Sequence, residues 1–153
     1  MSKSLKRVRA ALEGEAADIR ETGEAKTALQ AAAELGVEVD QIAKSIVFQG
    51  QITGEALLFI TAGGNQVCMN KAAALAGEPL GRAQAALVRA QTGFAIGGVS
   101  PLAHKNPIRS FFDPRLMDFA LIWAAAGTPH HVFSLTPARL LEKSEAQLSD
   151  FAS

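Results

Sequence analysis

The sequence predicts an α/β (α+β) fold in which a mixed β-sheet flanked by helices forms a single compact domain. Two apolar segments rich in β-branched and aromatic residues, 45–48 and 56–61, are separated by turn residues and predict a β-hairpin. Ala- and Leu-rich helical segments lie on both sides of this hairpin, and three more strand-length apolar segments follow. The hairpin-length connections favour a mixed or antiparallel sheet over a fully parallel one.

Composition restricts the class of protein. The 153 residues correspond to one domain, 1–153, and 48 % hydrophobic residues are enough to form a core. Lys plus Arg and Asp plus Glu number 15 each, which disfavours a protein that coats long nucleic acids but allows a small local contact. The lone Cys68 cannot form an intramolecular disulfide, and the sequence shows neither a secretory signal nor a bilayer-length apolar stretch. We therefore expect a cytoplasmic protein.

The N-terminal half is expected to contain two helices before the hairpin. Leu5, Val8 and Leu12 share one helical stripe and predict a helix over 4–13. A second helix is predicted over 26–36, with Gly36 in the left-handed conformation that ends many helices. Asp40 is then expected to cap a short turn over 41–43, just before the first strand of the hairpin.

The C-terminal half is expected to alternate short helices, a loop and strands. Helices are predicted over 68–77 and 81–90, separated by a break at Pro79, and Gly and Pro residues predict an irregular surface loop over 93–107. Strands are predicted over 108–112, 120–125 and 132–135. Thr136 as N-cap and Pro137 as first helical residue predict a final helix through 151.

Several common catalytic motifs are missing from the sequence. It contains no phosphate-binding G-x-x-x-x-G-K-[ST], no G-x-G-x-x-G after a strand, no H-E-x-x-H and no G-x-S-x-G. His130 and His131 precede or begin a predicted strand, where neighbouring side chains point to opposite faces, so the two are poorly placed to share a metal ion. Cys68 is expected to be a small buried apolar residue. We expect neither a metal nor another cofactor.

Lys44 is the first candidate for a functional residue. It stands at the start of a predicted strand and shares a face with Ile46 and Phe48. If that face lies in the core, the ammonium must project into a cleft lined with polar groups or a bound anion. The alternative is a lysine that extends from the strand end into solvent.

Glycine pairs and a basic segment are the other candidates. Gly97-Gly98 could let consecutive N–H groups converge on an oxygen, as in an oxyanion hole, or could form a plain tight turn. Gly63-Gly64 has the same two interpretations, and there we favour the turn. The basic N-terminal residues could contact phosphate or form a solvated helix face. These residues are Lys3, Lys6, Arg7 and Arg9.

The order of motifs along the chain is more specific than any one of them. It comprises Thr27, Ala31, Ala32, Leu35 and Gly36, then I-A-K-S-I-V-F at 42–48, Gly63-Gly64, N-K-A-A-A-L-A-G at 70–77, T-G-F-A-I-G-G-V-S-P at 92–101, Asp113-Pro114, Gly127 and Leu135-Thr136-Pro137. Over residues 22–141 this pattern resembles the YbaK/ProX group of freestanding aminoacyl-tRNA deacylases. That group is related to the editing domain inserted in bacterial prolyl-tRNA synthetases.

The resemblance implies a mixed α/β editing fold whose cleft hydrolyses the ester between a wrong amino acid and the 3′ end of tRNA. It implies catalytic roles for Lys44, as anchor or polarising group, and for the N–H near Gly98, as oxyanion donor. The substrate-binding positions that it implies are Gly97, Ser100, Pro101, Thr128 and His130. No convincing nucleophile is present, so we expect direct attack by water, which the terminal ribose hydroxyl could assist.

Partners and alternative functions follow from the same residues. Neutral net charge suggests weak binding of tRNA alone, so a synthetase or an elongation factor could deliver the substrate. The same pocket could instead belong to a non-catalytic module that binds an aminoacyl or nucleotide-like ligand, or to a regulatory partner of an aminoacyl-tRNA synthetase. An Ala-rich scaffold protein without a pocket is the third possibility.

Overall fold

One mixed β-sheet organises the chain. The computed structural model describes residues 2–23 and 25–153. The helices in these residues are α1 (Lys3–Ala11), α2 (Ala28–Leu35), α3 (Met69–Ala76), α4 (Ala85–Thr92) and α5 (Pro137–Ser144). The strands are β1 (Asp18–Glu21), β2 (Ile42–Gly50), β3 (Ala56–Ala62), β4 (Leu80–Arg82), β5 (Arg109–Phe112), β6 (Ile122–Thr128), β7 (His131–Leu135) and β8 (Gln147–Leu148).

The sheet contains both antiparallel and parallel pairs, which confirms the predicted mixed α/β fold. Its strand order is β1-β7-β6-β2-β3-β5-β8, and β4 also pairs with β2. The predicted hairpin is β2 and β3, antiparallel from Ala43 opposite Ala62 to Gln49 opposite Ala56. Strands β2 and β6 run parallel, as do β3 and β5.

Alternation along β3 separates the two faces of the sheet. Leu58 and Ile60 belong to the main core, to which α1, α4 and α5 also contribute buried side chains. Leu57 and Phe59 face the opposite side, in a cluster with a residue of α3. A third cluster, beneath α2, contains Trp123 of β6. The longest of these helices has nine residues, so none in the described part of the chain could cross a bilayer.

The predicted helix ends are largely confirmed. Gly36 ends α2 in the left-handed conformation, with φ of 71°. The hydroxyl of Thr136 accepts a hydrogen bond from the Arg139 N–H, with Pro137 as the first residue of α5. The helix is shorter than predicted, however, because Glu145 is left-handed and β8 then pairs with β5.

Three other predictions need correction. The turn before β2 spans Val39–Gln41 and is capped by Glu38, since the carboxylate of Asp40 instead accepts hydrogen bonds from the Gly64 N–H and from Arg115. No helix begins at 81, because β4 pairs with the end of β2. The loop over 93–107 is irregular, as expected, but its residues 98–102 are buried rather than superficial. Strand β1, which pairs with β7, was not predicted.

Candidate active site

A cleft of about 260 Å³ lies at one end of β2 and β6, next to α2. It is lined by Thr22, Ala25, Lys26, Thr27, Ala28, Ala31, Ile42, Ala43, Lys44, Ser45, Gly97, Val99, Trp123, Ala124, Ala125, Thr128, Pro129, His131 and Val132. Its walls are therefore α2 with the segment before it, the two strands, the loop at 97–99 and the turn between β6 and β7. The cleft is slightly smaller than sites for drug-sized ligands, which occupy about 300 to 1,000 Å³.

The cleft opens where two parallel strands separate. Strands β2 and β6 pair only at Ile42 with Trp123 and at Ala43 with Ala124. Beyond that point, Lys44 and Ser45 on one strand and Ala125 on the other line the cleft. Ligands of open α/β sheets commonly bind where neighbouring strands diverge in this way.

Lys44 places a cationic group in the wall of this cleft. Its Nζ donates a hydrogen bond to the carbonyl oxygen of Gly63 at 3.2 Å, and the side chain is half-buried. Burial lowers the pKa of the ammonium below its usual value, whereas the nearby carboxylates of Asp40 and Asp113 act in the opposite direction. Lys44 thus lines a cleft, and its ammonium is held at the Gly63 carbonyl rather than extended into solvent.

Two carboxylates behind Lys44 hold the surrounding backbone. Asp113 is buried and accepts hydrogen bonds from the Ala62 N–H, the Asn65 amide and the Arg115 N–H. Asp40 accepts from the Gly64 N–H at 2.8 Å. The Gly63-Gly64 pair forms the predicted turn.

Close packing against backbone requires glycine at 63, whereas Gly64 lies against the side chain of Asp40. A Cβ on Gly63 would lie 2.2 Å from the Val39 carbonyl oxygen, and one on Gly64 would lie 2.4 Å from an oxygen of Asp40. Glycine at 63 therefore allows this turn to approach the backbone that precedes β2.

The loop at 97–101 contributes to the cleft through only part of its length. Gly97 and Val99 line it, and Gly97 has a φ of 95° that disfavours any side chain. Gly98 is buried, and its N–H donates to the carbonyl of Ala95 at 3.0 Å. A Cβ on Gly98 would lie 3.0 Å from the backbone of Thr128. Gly98 therefore packs the loop against the opposite wall.

Ser100 and Pro101 lie beneath the loop and do not line the cleft. Both residues are buried. The carbonyl of Ser100 is 2.7 Å from Nε2 of His104, and the Ser100 hydroxyl is 3.4 Å from the Leu102 N–H. Burial lowers the pKa of His104 below its ordinary value. These contacts are within the loop and stabilise its conformation without lining the cleft.

Arg7 supports the same loop from α1. Its Nε donates to the Ala103 carbonyl at 2.8 Å, and its Nη2 donates to the Thr92 carbonyl at 3.1 Å. The guanidinium also lies 4.4 Å from the ring centroid of Phe94. Arg7 thus joins both ends of the loop, a role that the basic N-terminal sequence did not indicate.

Thr128 lines the cleft together with His131, whereas His130 lies outside it. The Thr128 hydroxyl is 2.7 Å from Nδ1 of His131 and accepts a hydrogen bond from the His130 N–H. A register shift between Ala125 and Thr128 marks an irregularity in the β6–β7 pairing, and Gly127 has a φ of 95°. Such irregularities redirect side chains. The resemblance assigned His130 to substrate binding, but His130 lies in the turn before β7 and outside the cleft, and its neighbour His131 lines the cleft instead.

Ser45 is a cleft residue that sequence reasoning missed. Its hydroxyl is buried and has no hydrogen-bond partner within residues 2–23 and 25–153, although it lines the cleft beside Lys44. A buried hydroxyl without a partner is costly, which sets Ser45 apart from the other described lining residues. The only sequence signal was its place directly after the lysine. Cys68 precedes α3, half-buried and outside the cleft.

The cleft offers hydrogen-bond donors, hydroxyls and two lysine side chains, Lys26 and Lys44. No carboxylate or thiol is among its described lining residues, and elsewhere in the described chain His, Cys, Asp and Glu form no group of three that could hold a metal ion. A site of this kind suits a small polar ligand with oxygen acceptors, such as an ester or a phosphate.

Comparison with known proteins assigns the chain to a family. Residues 22–143 match the aminoacyl-tRNA editing domain, and the protein belongs to this family. The resemblance inferred from the motif order is thereby confirmed, with nearly the same boundaries.

Individual relatives agree with this assignment. A crystal structure described as a "putative trans-editing enzyme for prolyl tRNA synthetase" is 41 % identical, with a TM-score of 0.90, and covers 100 % of this chain and 99 % of its own. Hypothetical protein APE2540 is 25 % identical, with a TM-score of 0.85 and coverage of 99 % and 100 %. "Uncharacterized protein YwhH" of Bacillus subtilis (strain 168) is 32 % identical over 118 residues, 77 % of this chain and 74 % of that protein.

Proposed function

We propose that this protein is a trans-editing deacylase that hydrolyses the ester of misacylated tRNA. The observation that carries the proposal is that the Lys44 ammonium and the backbone at Gly97 and Val99 line one cleft. Membership of the editing family and the 41 % identity to a structure described as a trans-editing enzyme support the same activity. The cytoplasm, where aminoacylated tRNA is used, is the proposed location.

Lys44 is proposed to hold the substrate. One of its N–H groups is used by the Gly63 carbonyl, so the others remain for the terminal phosphate or for the ester carbonyl. A cation fixed in this way costs no reorganisation when negative charge develops on the ester. Its contact with Gly63 sets the direction of the side chain.

The oxyanion donors are proposed to be the N–H groups of Gly97 and Val99. The sequence suggested Gly98, but the Gly98 N–H already donates to the carbonyl of Ala95. No acceptor for the Gly97 and Val99 N–H groups occurs in residues 2–23 and 25–153. Gly98 then serves the reaction by holding its two neighbours against the backbone of Thr128.

Water is proposed as the nucleophile. Its oxygen attacks the ester carbonyl carbon, the bond from that carbon to the ribose oxygen breaks, and the products are the free amino acid and the 3′ hydroxyl of tRNA. The lining residues that the structure describes include no thiol or carboxylate. Thr128, whose hydroxyl lies 2.7 Å from Nδ1 of His131, is the alternative nucleophile, and its acylation would give an acyl-enzyme intermediate. The neighbouring hydroxyl of the terminal ribose is proposed to relay the proton: it accepts one from the attacking water and donates its own to the departing ribose oxygen. A synthetase or an elongation factor is the proposed source of the substrate.

A deacylation screen tests the proposal. The purified protein is mixed with tRNA charged with Ala, Cys, Ser or Thr, and release of the amino acid is followed over time. We expect release from at least one of them, and Lys44→Ala should lower the rate by about 100-fold or more because a charged donor to the reacting ester is lost. Lys105→Ala, a change of an exposed lysine outside the cleft, is the matched control.

Two results would contradict the proposal. Full activity of Lys44→Ala would remove the assigned role of the ammonium. Saturable binding of an aminoacyl-adenosine analogue without turnover of any charged tRNA would instead identify a non-catalytic binding module.

A further inference from the structure

Positive charge is concentrated on α1. This helix of nine residues holds four of the 15 cationic residues of the chain and none of the 15 acidic ones. The rest of the chain therefore holds 11 cationic and 15 acidic residues, a net charge of −4. A protein without net charge thus has one distinctly cationic helix.

Three of the four cations are free to meet a partner. Arg7 is occupied with the loop at 93–103, whereas Lys3, Lys6 and Arg9 are exposed. None of these three forms an ion pair with any residue in 2–23 or 25–153. Their spacing of three places them on consecutive turns along one side of the helix. We call them the cationic face of α1.

The cationic face borders the candidate active site. Arg9 lines a depression of about 540 Å³ that shares Thr128 and His131 with the cleft. His130, which lies outside the cleft, also lines this depression. The one carboxylate there belongs to Glu21, whose Oε2 lies 3.8 Å from Nε2 of His131.

We propose that Lys3, Lys6 and Arg9 bind the phosphodiester backbone of the acceptor end of tRNA while its acylated 3′ end occupies the cleft. This inference rests on the proposed function. When the acylated nucleotide occupies the cleft, the phosphates that precede it in the RNA must leave the cleft across its edge. Arg9 lies at the edge formed by Thr128 and His131. Cations at that rim attract the polyanion, while the net negative charge of the remaining chain repels it elsewhere, so the field also orients the substrate.

Binding measurements separate this surface from the cleft. The probes are a fluorescein-labelled acceptor-stem minihelix ending in CCA and a labelled CCA trinucleotide, and their dissociation constants are measured by anisotropy at several salt concentrations. The variant is Lys3→Gln/Lys6→Gln/Arg9→Gln. The control changes three exposed cations that line neither the cleft nor the depression, Arg82→Gln/Arg89→Gln/Lys105→Gln.

We expect the α1 variant to bind the minihelix about tenfold more weakly at about 0.1 M salt. The slope of log affinity against log salt should fall by about 2 to 3, the value for three lost phosphate contacts. The trinucleotide, whose few phosphates reach only as far as Arg9, should be weakened clearly less than the minihelix, and the control variant should retain both affinities. An unchanged minihelix affinity and slope would overturn the proposal.

Equal weakening of both probes would also overturn it, because the variant would then have disturbed the cleft. So would equal weakening by the control, which would indicate a general charge effect. Failure of the proposed function has a different signature: no charged tRNA is deacylated, while the salt slopes still report whether α1 contacts phosphate.

Discussion

Arg7 should contribute measurably to stability, although it lies in a basic segment that resembles an ordinary solvated helix face. Replacement by alanine removes two charge-assisted hydrogen bonds, to the Ala103 carbonyl at 2.8 Å and to the Thr92 carbonyl at 3.1 Å, and a cation–π contact with Phe94. Such bonds contribute about 1.5 to 3 kcal/mol each, and the cation–π contact about 0.5 to 1 kcal/mol.

Two features of the site reduce this sum. Arg7 is only half-buried, so water replaces part of what is lost. The Thr92 carbonyl also keeps its second donor, the Lys105 N–H at 3.0 Å, whereas the Ala103 carbonyl depends more on Arg7. We therefore expect Arg7→Ala to lower the free energy of unfolding by about 2 kcal/mol, which corresponds to about 4 to 8 °C in Tm for a chain of this length.

Urea denaturation of three variants measures this contribution. Arg7→Lys keeps the cation but cannot reach both carbonyls with a planar fork, so its loss should lie between zero and that of Arg7→Ala. Arg9→Ala changes an exposed arginine on the same helix and should stay within about 0.5 kcal/mol of the unchanged protein. Arg7→Ala with a free energy of unfolding equal to that of Arg9→Ala would refute the reasoning.

Two further predictions concern glycine and histidine. Gly97→Ala and Gly127→Ala both place a side chain at a φ of 95°, but only the second meets an obstacle, the Ser4 carbonyl oxygen at 2.8 Å. In denaturation experiments, Gly97→Ala should lower the free energy of unfolding by about 1 to 3 kcal/mol, and Gly127→Ala should lower it by about 1 to 3 kcal/mol more. Equal losses for the two variants would contradict the proposed collision with the Ser4 carbonyl. Because burial lowers the pKa of His104 below 6.5, the unfolded chain binds its proton more readily, so stability should fall as pH drops below about 6.5. His104→Gln should flatten this dependence between about pH 7 and 5, and an unchanged slope would exclude His104 as its source.

The elements that sequence predicted well are those whose signals are local. A helix ends at Gly36 because glycine adopts a positive φ at little cost, and α5 begins at Thr136-Pro137 because a hydroxyl and a fixed φ suit that position. The β2–β3 hairpin was equally clear, since both segments are apolar and a turn separates them. None of these inferences needed knowledge of distant partners.

The elements that sequence missed depend on distant partners. Strand β1 has four residues, mostly exposed, and β4 has three, including a glycine; each is a strand only because a longer strand offers it an edge. Asp40 resembled a helix cap, but Gly64 and Arg115 compete for its carboxylate from 24 and 75 residues away. Such competition has no local signature.

For the candidate site, it was easier to predict which residues belong to it than which of them face the cleft. Lys44 and Gly97 line one cleft, as the motif order implied, but Gly98, Ser100 and Pro101 support the loop from within rather than lining it. The resemblance assigned His130 to the substrate, whereas its neighbour His131 lines the cleft. That choice depends on the register shift before Thr128, which sequence does not reveal.

Backbone contacts at glycine connect α1 to the cleft. Gly127 lets the end of β6 approach the Ser4 carbonyl of α1, and Gly98 lets the loop approach the backbone of Thr128 one residue further on. Backbone atoms cannot change rotamer to relieve a collision, so these contacts fix α1, the loop and the β6–β7 turn relative to one another more firmly than side-chain packing would. The helix that carries the cationic face is thus tied to the walls that hold the proposed ester, and a phosphate bound at α1 would keep a defined distance from the cleft.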